Sequence, residues 1–286
     1  MNLQSWYNTA HPISARRNIV NRIVNITANN TELSLKTKTR LSAMLEKAGF
    51  IVSREFNHHA ELTVCIGGDG AFLQTMHEHN FPSMPIIGIN TGHLGFFQEI
   101  SPDKLDDFIF NYTQNMYRLQ KLTTVKATVK TIDGASTDHI GLNEIVIRGS
   151  HSYSIHLNIS IGDSFIERFS GDGILVATPS GSTAYNYSLG GSIVDPRLDL
   201  LQVTPIAPMN TTAYRCFTSS ILLPSDLSLG VIPENQKDTT IYINNDGYET
   251  RYENVKSIKI EFADKIVQLL RFDTYDFWNK VKTKFL

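Results

Sequence analysis

Cysteine is scarce in this chain, which has only Cys65 and Cys216 among 286 residues. Because the two lie far apart in sequence, a disulfide framework or a cysteine-based metal site is not expected, and such usage is typical of a reducing compartment. The chain also lacks a run of about 18 consecutive apolar residues, the length that a membrane span requires. Its first residues show no apolar run typical of a secretory signal. We therefore expect a cytoplasmic protein with no membrane partner.

An excess of charge of one sign is missing as well. Lys and Arg number 26 and Asp and Glu number 28, which gives a formal net charge of −2. Binding to nucleic acid or to an anionic membrane depends on clustered Lys and Arg, so neither partner is expected. Any polyanionic ligand must therefore be held by local groups.

Several common enzyme signatures are absent. The nine histidines do not form a His-Glu-x-x-His pattern, and neither a P-loop nor a Gly-x-Ser-x-Gly nucleophile turn occurs. A structural zinc site is therefore not expected. If the chain is a phosphotransferase, it is not a P-loop enzyme.

The length and the hydrophobic pattern predict two domains. Single cores stop growing at roughly 250 to 300 residues. In residues 1–120, short apolar strands alternate with helical patterns, which predicts a parallel sheet covered by helices. In residues 121–270, strand-like runs such as residues 144–148 are separated by turn residues, which predicts an antiparallel β domain. We take residues 1–18 as an extension and expect residues 271–286 to pack back on the first domain.

A glycine-rich loop, Gly67-Gly68-Asp69-Gly70, lies between the apolar run at residues 61–66 and a helical pattern. Glycines permit tight turning, and the backbone N–H groups at a helix start can face a phosphate. A carboxylate beside a phosphate is unfavourable unless it binds a metal or accepts a proton. Asp69 is therefore a candidate for acid–base chemistry, although a turn-stabilising Asp has the same pattern.

Two further segments carry polar groups next to strands. Residues 171–191 combine glycines with hydroxyl side chains that can bind ribose, phosphate or an adenine edge, and Tyr185 offers an aromatic face to a base. Asn143 and Glu144 precede an apolar strand and are suited to bind sugar hydroxyls. Ordinary surface loops remain the alternative for both segments. The hydroxyl side chains in residues 171–191 that could bind the nucleotide are those of Ser180, Ser182, Thr183 and Ser188.

The order and spacing of these segments resemble those of the NAD kinase family. The loop at residues 67–70, the Asn143-Glu144 pair and the segment TPSGSTAY at residues 178–185 occur in the family's order and at family-like intervals. The resemblance extends from about residue 23 to the C-terminus. It also includes residues 88–96, 171–173, 204–208 and 246–247.

This resemblance implies a fold, a reaction and a site. The fold would be an N-terminal nucleotide-binding-like α/β domain, a C-terminal antiparallel β domain and an active site in the cleft between them. A homodimer or homotetramer would phosphorylate the 2′-hydroxyl of the adenosine ribose of NAD, using ATP or polyphosphate and a divalent cation, expected to be Mg²⁺. Asp69 would be the general base, and Gly70 would hold phosphate through its backbone. The other nucleotide-binding residues would be Asn143, Glu144, Asp172, Thr183, Ala184, Tyr185, Asn186, Tyr187, Ser188 and Ala207.

Three positions depart from the family pattern and leave two other hypotheses open. Ala71 stands where Thr is usual, Ser170 where some relatives carry Arg, and Tyr248 where Gln is frequent. The first alternative is a catalytically silent NAD(P)-binding regulatory homologue. The second is a lipid or sugar kinase that shares the glycine loop, which the segment at residues 178–185 and the lack of a membrane-docking run oppose.

Overall fold

The structure is a computed structural model that describes residues 22–150, 153–162, 164–237 and 239–286. The extension predicted for residues 1–18 lies outside these described residues. No helix within the described ranges is long and apolar enough to cross a membrane.

Parallel strands and helices make up the first part of the described chain. The elements are β1 (Ile23–Ala28), α1 (Glu32–Lys47), β2 (Ile51–Val52), β3 (Leu62–Gly67), α2 (Asp69–Glu78), β4 (Ile86–Asn90), β5 (Gln98–Ile100) and α3 (Leu105–Thr113), with a 3-10 turn at Pro102–Lys104 before α3. β2, β1, β3 and β4 are neighbours in that order and pair in parallel. The predicted parallel sheet is confirmed.

Helices cover both faces of these parallel strands. Leu41 of α1 and Phe108 of α3 belong to a buried cluster with β1, β3 and β4, and Thr31 caps α1 by accepting the backbone N–H of Ser34. On the other face, Phe72 and Met76 of α2 are fully buried in a separate cluster. Every residue of β3 is buried, as expected for a central strand with a helix layer on each side.

The rest of the described chain is mainly antiparallel β structure. Its elements are β6 (Arg118–Thr131), β7 (Ser136–Gly141), β8 (Glu144–Arg148), β9 (Ile155–Ile161), β10 (Ser164–Gly171), β11 (Gly173–Ala177), α4 (Tyr185–Ser188), β12 (Leu200–Ile206), β13 (Ile221–Pro224), β14 (Leu229–Pro233), β15 (Ile241–Asn245), β16 (Tyr248–Tyr252), β17 (Val255–Arg271) and α5 (Phe277–Phe285). Among the described residues, β13, β12, β11, β8, β15 and β16 form a six-stranded antiparallel sheet in that order. The predicted antiparallel part is confirmed.

The long strand β17 joins the two parts into one sheet. It pairs antiparallel with β6 and β14, and near its end Leu269 pairs in parallel with Ile86 of β4. The described strands outside the six-stranded sheet therefore belong to a single 11-stranded sheet. A register shift between Phe262 and Ile266 separates the two sections of β17. The domain boundaries at residues 120 and 270 stay predictions, since β6 and β17 each run across one of them.

The C-terminal helix α5 lies against the turn between β4 and β5. Lys280 donates from Nζ to the carbonyl oxygens of Gly95, at 3.0 Å, and Gln98. The Phe285 ring packs at a tilt against Tyr187 of α4 with the ring centroids 4.3 Å apart, and it also lies near the ring of Phe96. The segment after β17 thus contacts both the β4–β5 turn and α4.

Candidate active site

Asp69 is the first residue of α2, at the point where β3 ends. The chain turns from strand to helix at Gly67, whose φ is 156° and whose backbone lies so close to Ala71 that an added Cβ would sit 2.5 Å from the Ala71 Cβ. The first N–H groups of a helix have no partner within it. Nothing lies within 4 Å of the position that a Cβ would take on Gly68 or Gly70. The beginning of α2 is therefore open to an anion.

The Asp69 carboxylate is fixed by the β4–β5 turn. Its Oδ2 accepts the backbone N–H of Phe96 at 2.9 Å, and its Oδ1 accepts that of Phe97 at 3.0 Å. A Cβ added to Gly95 would overlap Oδ1 and lie 2.9 Å from Oδ2, so the close approach requires glycine. An ionised carboxylate has about four acceptor positions, two on each oxygen. One position on each oxygen of Asp69 remains for another donor or a proton.

Asn143 and Glu144 are fixed by a second carboxylate, that of Asp246. The side chain of Asp246 has 0% exposure and accepts the backbone N–H groups of Leu142 at 2.6 Å, Asn143 at 2.8 Å and Glu144 at 3.1 Å. In the sequence, Asp246 stood out only as part of the pair at residues 246–247 that the family resemblance includes. The residue's position directly after an apolar strand was the available signal, but its partners lie about a hundred positions earlier in the chain.

Two polar atoms of this pair lack a partner. Asn143 and Glu144 are 7% and 8% exposed, and Asn143 Oδ1 and Glu144 Oε2 have no hydrogen-bond partner among the described residues. Burial, together with the nearby Asp246 carboxylate, raises the pKa of Glu144 to about 8. An unpaired buried polar atom costs about 1–3 kcal/mol, so such atoms often mark a ligand site.

His77 connects α2 to the Asn143-Glu144 segment. Its Nε2 lies 2.8 Å from Oδ2 of Asp246, and its ring centroid is 4.6 Å from that of Tyr248. The helix that begins with Asp69 is therefore tied to the carboxylate that holds residues 142–144. The sequence alone gave no role to His77, because its partner lies 169 positions away.

The segment after β11 packs against Asn143. Thr178 Oγ1 donates to the carbonyl oxygen of Leu142 at 2.6 Å, and the backbone of Gly181 lies so close that an added Cβ would overlap the Asn143 carbonyl oxygen. Residues Ser180–Thr183 form a 3-10 turn before α4. The structure therefore brings the predicted 178–185 segment next to Asn143 and Glu144.

Within this segment the predicted residues differ in accessibility. Thr183 is buried and Ala184 is partly buried, whereas Tyr185, Tyr187 and Ser188 are exposed. Asn186 is fully buried, and its Oδ1 accepts the hydroxyl of Thr204 at 2.6 Å. The side chain of Asn186 thus packs inside the protein, where it fixes α4 on β12.

Asp172 and Ala207 lie at the other end of β11. Both are exposed, and the backbone N–H of Asp172 donates to the carbonyl oxygen of Ile206 at 2.9 Å. An extended strand rises about 3.3 Å per residue, which puts Asp172 roughly 20 Å from Thr178. The structure therefore brings these two residues together but separates them from the Asn143 end of the site.

Two family models match this chain. The model described as the ATP-NAD kinase N-terminal domain matches residues 19–117, and the one described as the ATP-NAD kinase C-terminal domain matches residues 142–272. The chain is also 38% identical over 268 residues to a protein of Finegoldia magna named NAD kinase, with 93% of this chain and 98% of that protein covered.

Solved structures with a similar fold include two kinases. Yeast NADH kinase complexed with NADH superimposes with a TM-score of 0.80 and 21% identity, over 92% of this chain and 86% of that chain. An NAD kinase from Archaeoglobus fulgidus in complex with ATP superimposes with a TM-score of 0.74 and 22% identity, over 91% and 99% of the two chains. These likenesses show a common two-domain fold.

We predict that Gly95→Ala destabilises the protein by about 1–3 kcal/mol, because the added methyl group displaces the Asp69 carboxylate from a tightly packed turn. Gly92→Ala in the same turn is the matched control, since nothing lies within 4 Å of the added Cβ and its φ is not positive. Urea unfolding measures both free energies of unfolding. Equal stability of the two variants would contradict the close approach.

We also predict that Glu144 makes the protein less stable as pH rises from 5 to 8. The unfolded chain ionises this carboxyl near its ordinary pKa of 4.5, whereas the folded chain holds the proton up to about pH 8. The folded state therefore binds more protons in this window, and its stability falls with pH. The expected loss is about 1.4 kcal/mol per pH unit.

The measurement is the free energy of urea unfolding at pH 5.5 and pH 8 for the protein and for Glu144→Gln, which cannot ionise. We expect the advantage of the variant over the unmodified protein to grow with pH. Glu249→Gln, at an exposed position of the neighbouring strand β16, controls for the loss of one carboxylate. Parallel pH curves for the unmodified protein and Glu144→Gln would disprove the prediction.

Proposed function

The chain belongs to the NAD kinase family and phosphorylates NAD, and we propose that ATP is the donor and the 2′-hydroxyl of the adenosine ribose is the acceptor. The proposal depends most on Asp69, whose carboxylate is held at the open start of α2 by two backbone N–H groups. One acceptor position on each of its oxygens remains for a substrate hydroxyl.

In the proposed reaction, Asp69 is the general base. The 2′-hydroxyl oxygen forms a bond to the terminal phosphorus of ATP, the bond from that phosphorus to the bridging oxygen breaks, and ADP leaves. The hydroxyl proton passes to the Asp69 carboxylate. Phosphoryl transfer depends mainly on positioning and on charge stabilisation, so no covalent nucleophile is required.

The start of α2 is the proposed phosphate site. Gly68 and Gly70 have open space where a side chain would be, and the backbone N–H groups of the first helical turn point toward it. The helix dipole adds a partial positive charge at the same end. These groups can stabilise the charge on the transferred phosphoryl group although the loop carries Ala71 instead of a hydroxyl residue.

Asn143 and Glu144 are the proposed residues that bind the adenosine part of NAD. Their unpaired oxygens, Oδ1 and Oε2, are suited to pair with sugar hydroxyls that donate hydrogen bonds. With its raised pKa, Glu144 is protonated near neutral pH and can also donate one. The proposed neighbours of the adenine and ribose are Thr183, Ala184, Tyr185, Asn186, Tyr187 and Ser188, with Asn186 acting by holding α4 in place.

Asp172 and Ala207 are assigned to a site shared between subunits. Asp172 and Ala207 lie roughly 20 Å from Thr178 along β11. This distance is too long for the two ends of β11 to contact the same adenosine within one chain. Contact with the dinucleotide bound by another copy resolves this separation. A homodimer or homotetramer located in the cytoplasm is part of the proposal.

A divalent cation is implied by the family, and its fit to the described residues is incomplete. Among them, no three His, Cys, Asp or Glu side chains come together to hold a metal ion. Mg²⁺ in phosphotransferases is commonly held by one or two carboxylates together with the phosphates of the substrate. The proposed steps therefore rely only on the protein's own groups and assign no residue as a metal ligand.

We predict that Asp69→Asn lowers the rate of NADP formation by about 10²- to 10⁴-fold, because the amide cannot accept the proton. NAD binding should be retained, since Asp69 is proposed to contact only the reacting 2′-hydroxyl, while Asn143, Glu144 and their neighbours hold the rest of the adenosine. The measurement is donor-dependent NADP formation with NAD, ATP and Mg²⁺, together with calorimetric titration of NAD.

Asp107→Asn is the matched control, since Asp107 is an exposed carboxylate in the first turn of α3. Full activity of Asp69→Asn would disprove the general-base role. Folded protein that binds NAD but forms neither NADP from NAD nor NADPH from NADH, with ATP or polyphosphate as donor, would support the silent homologue. Phosphorylation of a diacylglycerol or a sugar without NAD turnover would support the lipid or sugar kinase.

A further inference from the structure

Arg271 is a buried cation that the proposed reaction does not use. It is the last residue of β17, its exposure is 2%, and it is held by side chains and carbonyl groups. Its Nε donates to Gln120 Oε1 at 3.0 Å, and its Nη1 lies 3.4 Å from Glu99 Oε2. A buried charge is costly unless it is paired and hydrogen-bonded, so an apolar residue here would be simpler if packing were the only requirement.

The guanidinium group also donates hydrogen bonds to the β4–β5 turn that holds Asp69. Nη2 donates to the carbonyl oxygen of Phe96 at 2.9 Å, and Nη1 donates to that of Phe97 at 3.2 Å. The Phe96 carbonyl and the Phe97 N–H belong to the same peptide group, and this N–H donates to Asp69 Oδ1 at 3.0 Å. One peptide group therefore lies between Arg271 and Asp69.

The planarity of the peptide group connects the two contacts. Because the six atoms of a peptide unit lie close to one plane, fixing the Phe96 carbonyl also fixes the direction of the Phe97 N–H. A cation at the carbonyl and an anion at the N–H polarise the group in the same sense, which strengthens both hydrogen bonds. A forked guanidinium can bond two carbonyls, whereas an ammonium is a single point charge.

Residues other than Arg271 also hold this turn and the guanidinium group. Lys280 of α5 donates to the carbonyl oxygens of Gly95 and Gln98. The Tyr275 ring lies under the guanidinium, 3.5 Å from its central carbon, and Glu99 Oε1 accepts the backbone N–H of Phe272 at 2.8 Å. The chain after β17 thus holds the carbonyl groups of the turn, while the N–H groups of the turn hold Asp69.

We propose that Arg271 is a positioning residue for phosphoryl transfer, which orients the Asp69 carboxylate through the peptide group between Phe96 and Phe97. This inference depends on the proposed role of Asp69 as the general base. Arg271 does not contact Asn143 or Glu144 through any of its hydrogen bonds described above. Its loss should therefore impair the chemical step and leave NAD binding intact.

The test compares Arg271→Met and Arg271→Lys with Arg118→Met. Arg118 pairs with Arg271 across β6 and β17 but is exposed, so its variant controls for the loss of a nearby positive charge. We measure kcat and KM for NAD and for ATP, and we count folded sites by the stoichiometry of NAD binding. We expect kcat per NAD-binding site to fall about 10- to 100-fold in both Arg271 variants, with KM for NAD unchanged.

Arg271→Lys keeps the charge and most of the side-chain volume, so it tests the forked contact even if Arg271→Met does not fold. Wild-type kcat per site in Arg271→Lys, or in folded Arg271→Met, would overturn the inference. A parallel rise in KM for NAD and loss of binding sites would also overturn it, because general damage to the fold would then explain the loss.

Asp69→Asn in the same assay separates the two proposals. If Asp69→Asn is inactive while the Arg271 variants keep full kcat, only the role of Arg271 is disproved. If Asp69→Asn is fully active, the general-base proposal fails, and the positioning role fails with it. A low kcat in Asp69→Asn and in both Arg271 variants, with normal activity of Arg118→Met, supports both.

Discussion

The hydrogen bonds from the Phe96 and Phe97 N–H groups to the Asp69 carboxylate constrain much of the surrounding structure. They require a turn that approaches α2 so closely that Gly95 has no room for a side chain. They also place an anion next to the positive end of a helix, where its charge is stabilised. The carbonyl groups of this turn need hydrogen-bond donors from elsewhere in the chain, because a short irregular segment has few backbone hydrogen-bond partners of its own.

Asp246 repeats this arrangement in the second part of the chain. It too is a carboxylate that accepts consecutive backbone N–H groups, those of residues 142–144. Around Asp69 the main chain fixes the carboxylate that is proposed to meet the substrate, whereas Asp246 fixes the main chain of Asn143 and Glu144, which are proposed to meet it. The contact between His77 and Asp246 joins the two arrangements, so the ends of the site proposed to bind phosphate and adenosine are connected through α2.

Local pattern was enough to predict the parts of this structure that depend on neighbours in sequence. The run at residues 144–148 is β8, and the glycine loop marks the start of α2. Strands such as β10 escaped prediction because Phe165 and Ile166 are consecutive and both exposed, which breaks the alternation of a half-buried strand. Arg271 and His77 could not be assigned, since their partners lie 175 and 169 positions away.

The continuous sheet has a consequence for how the protein is made. β4 pairs with β17 only when nearly the whole chain is available, because Leu269 pairs with Ile86, whereas Gly88 and Ile89 of β4 pair with the nearby β5. During synthesis the start of β4 therefore has an unpaired edge until β17 is made, and exposed edges of this kind can pair with other chains. We expect the nascent protein to depend on rapid completion of translation or on chaperones, even though the finished fold leaves that edge covered.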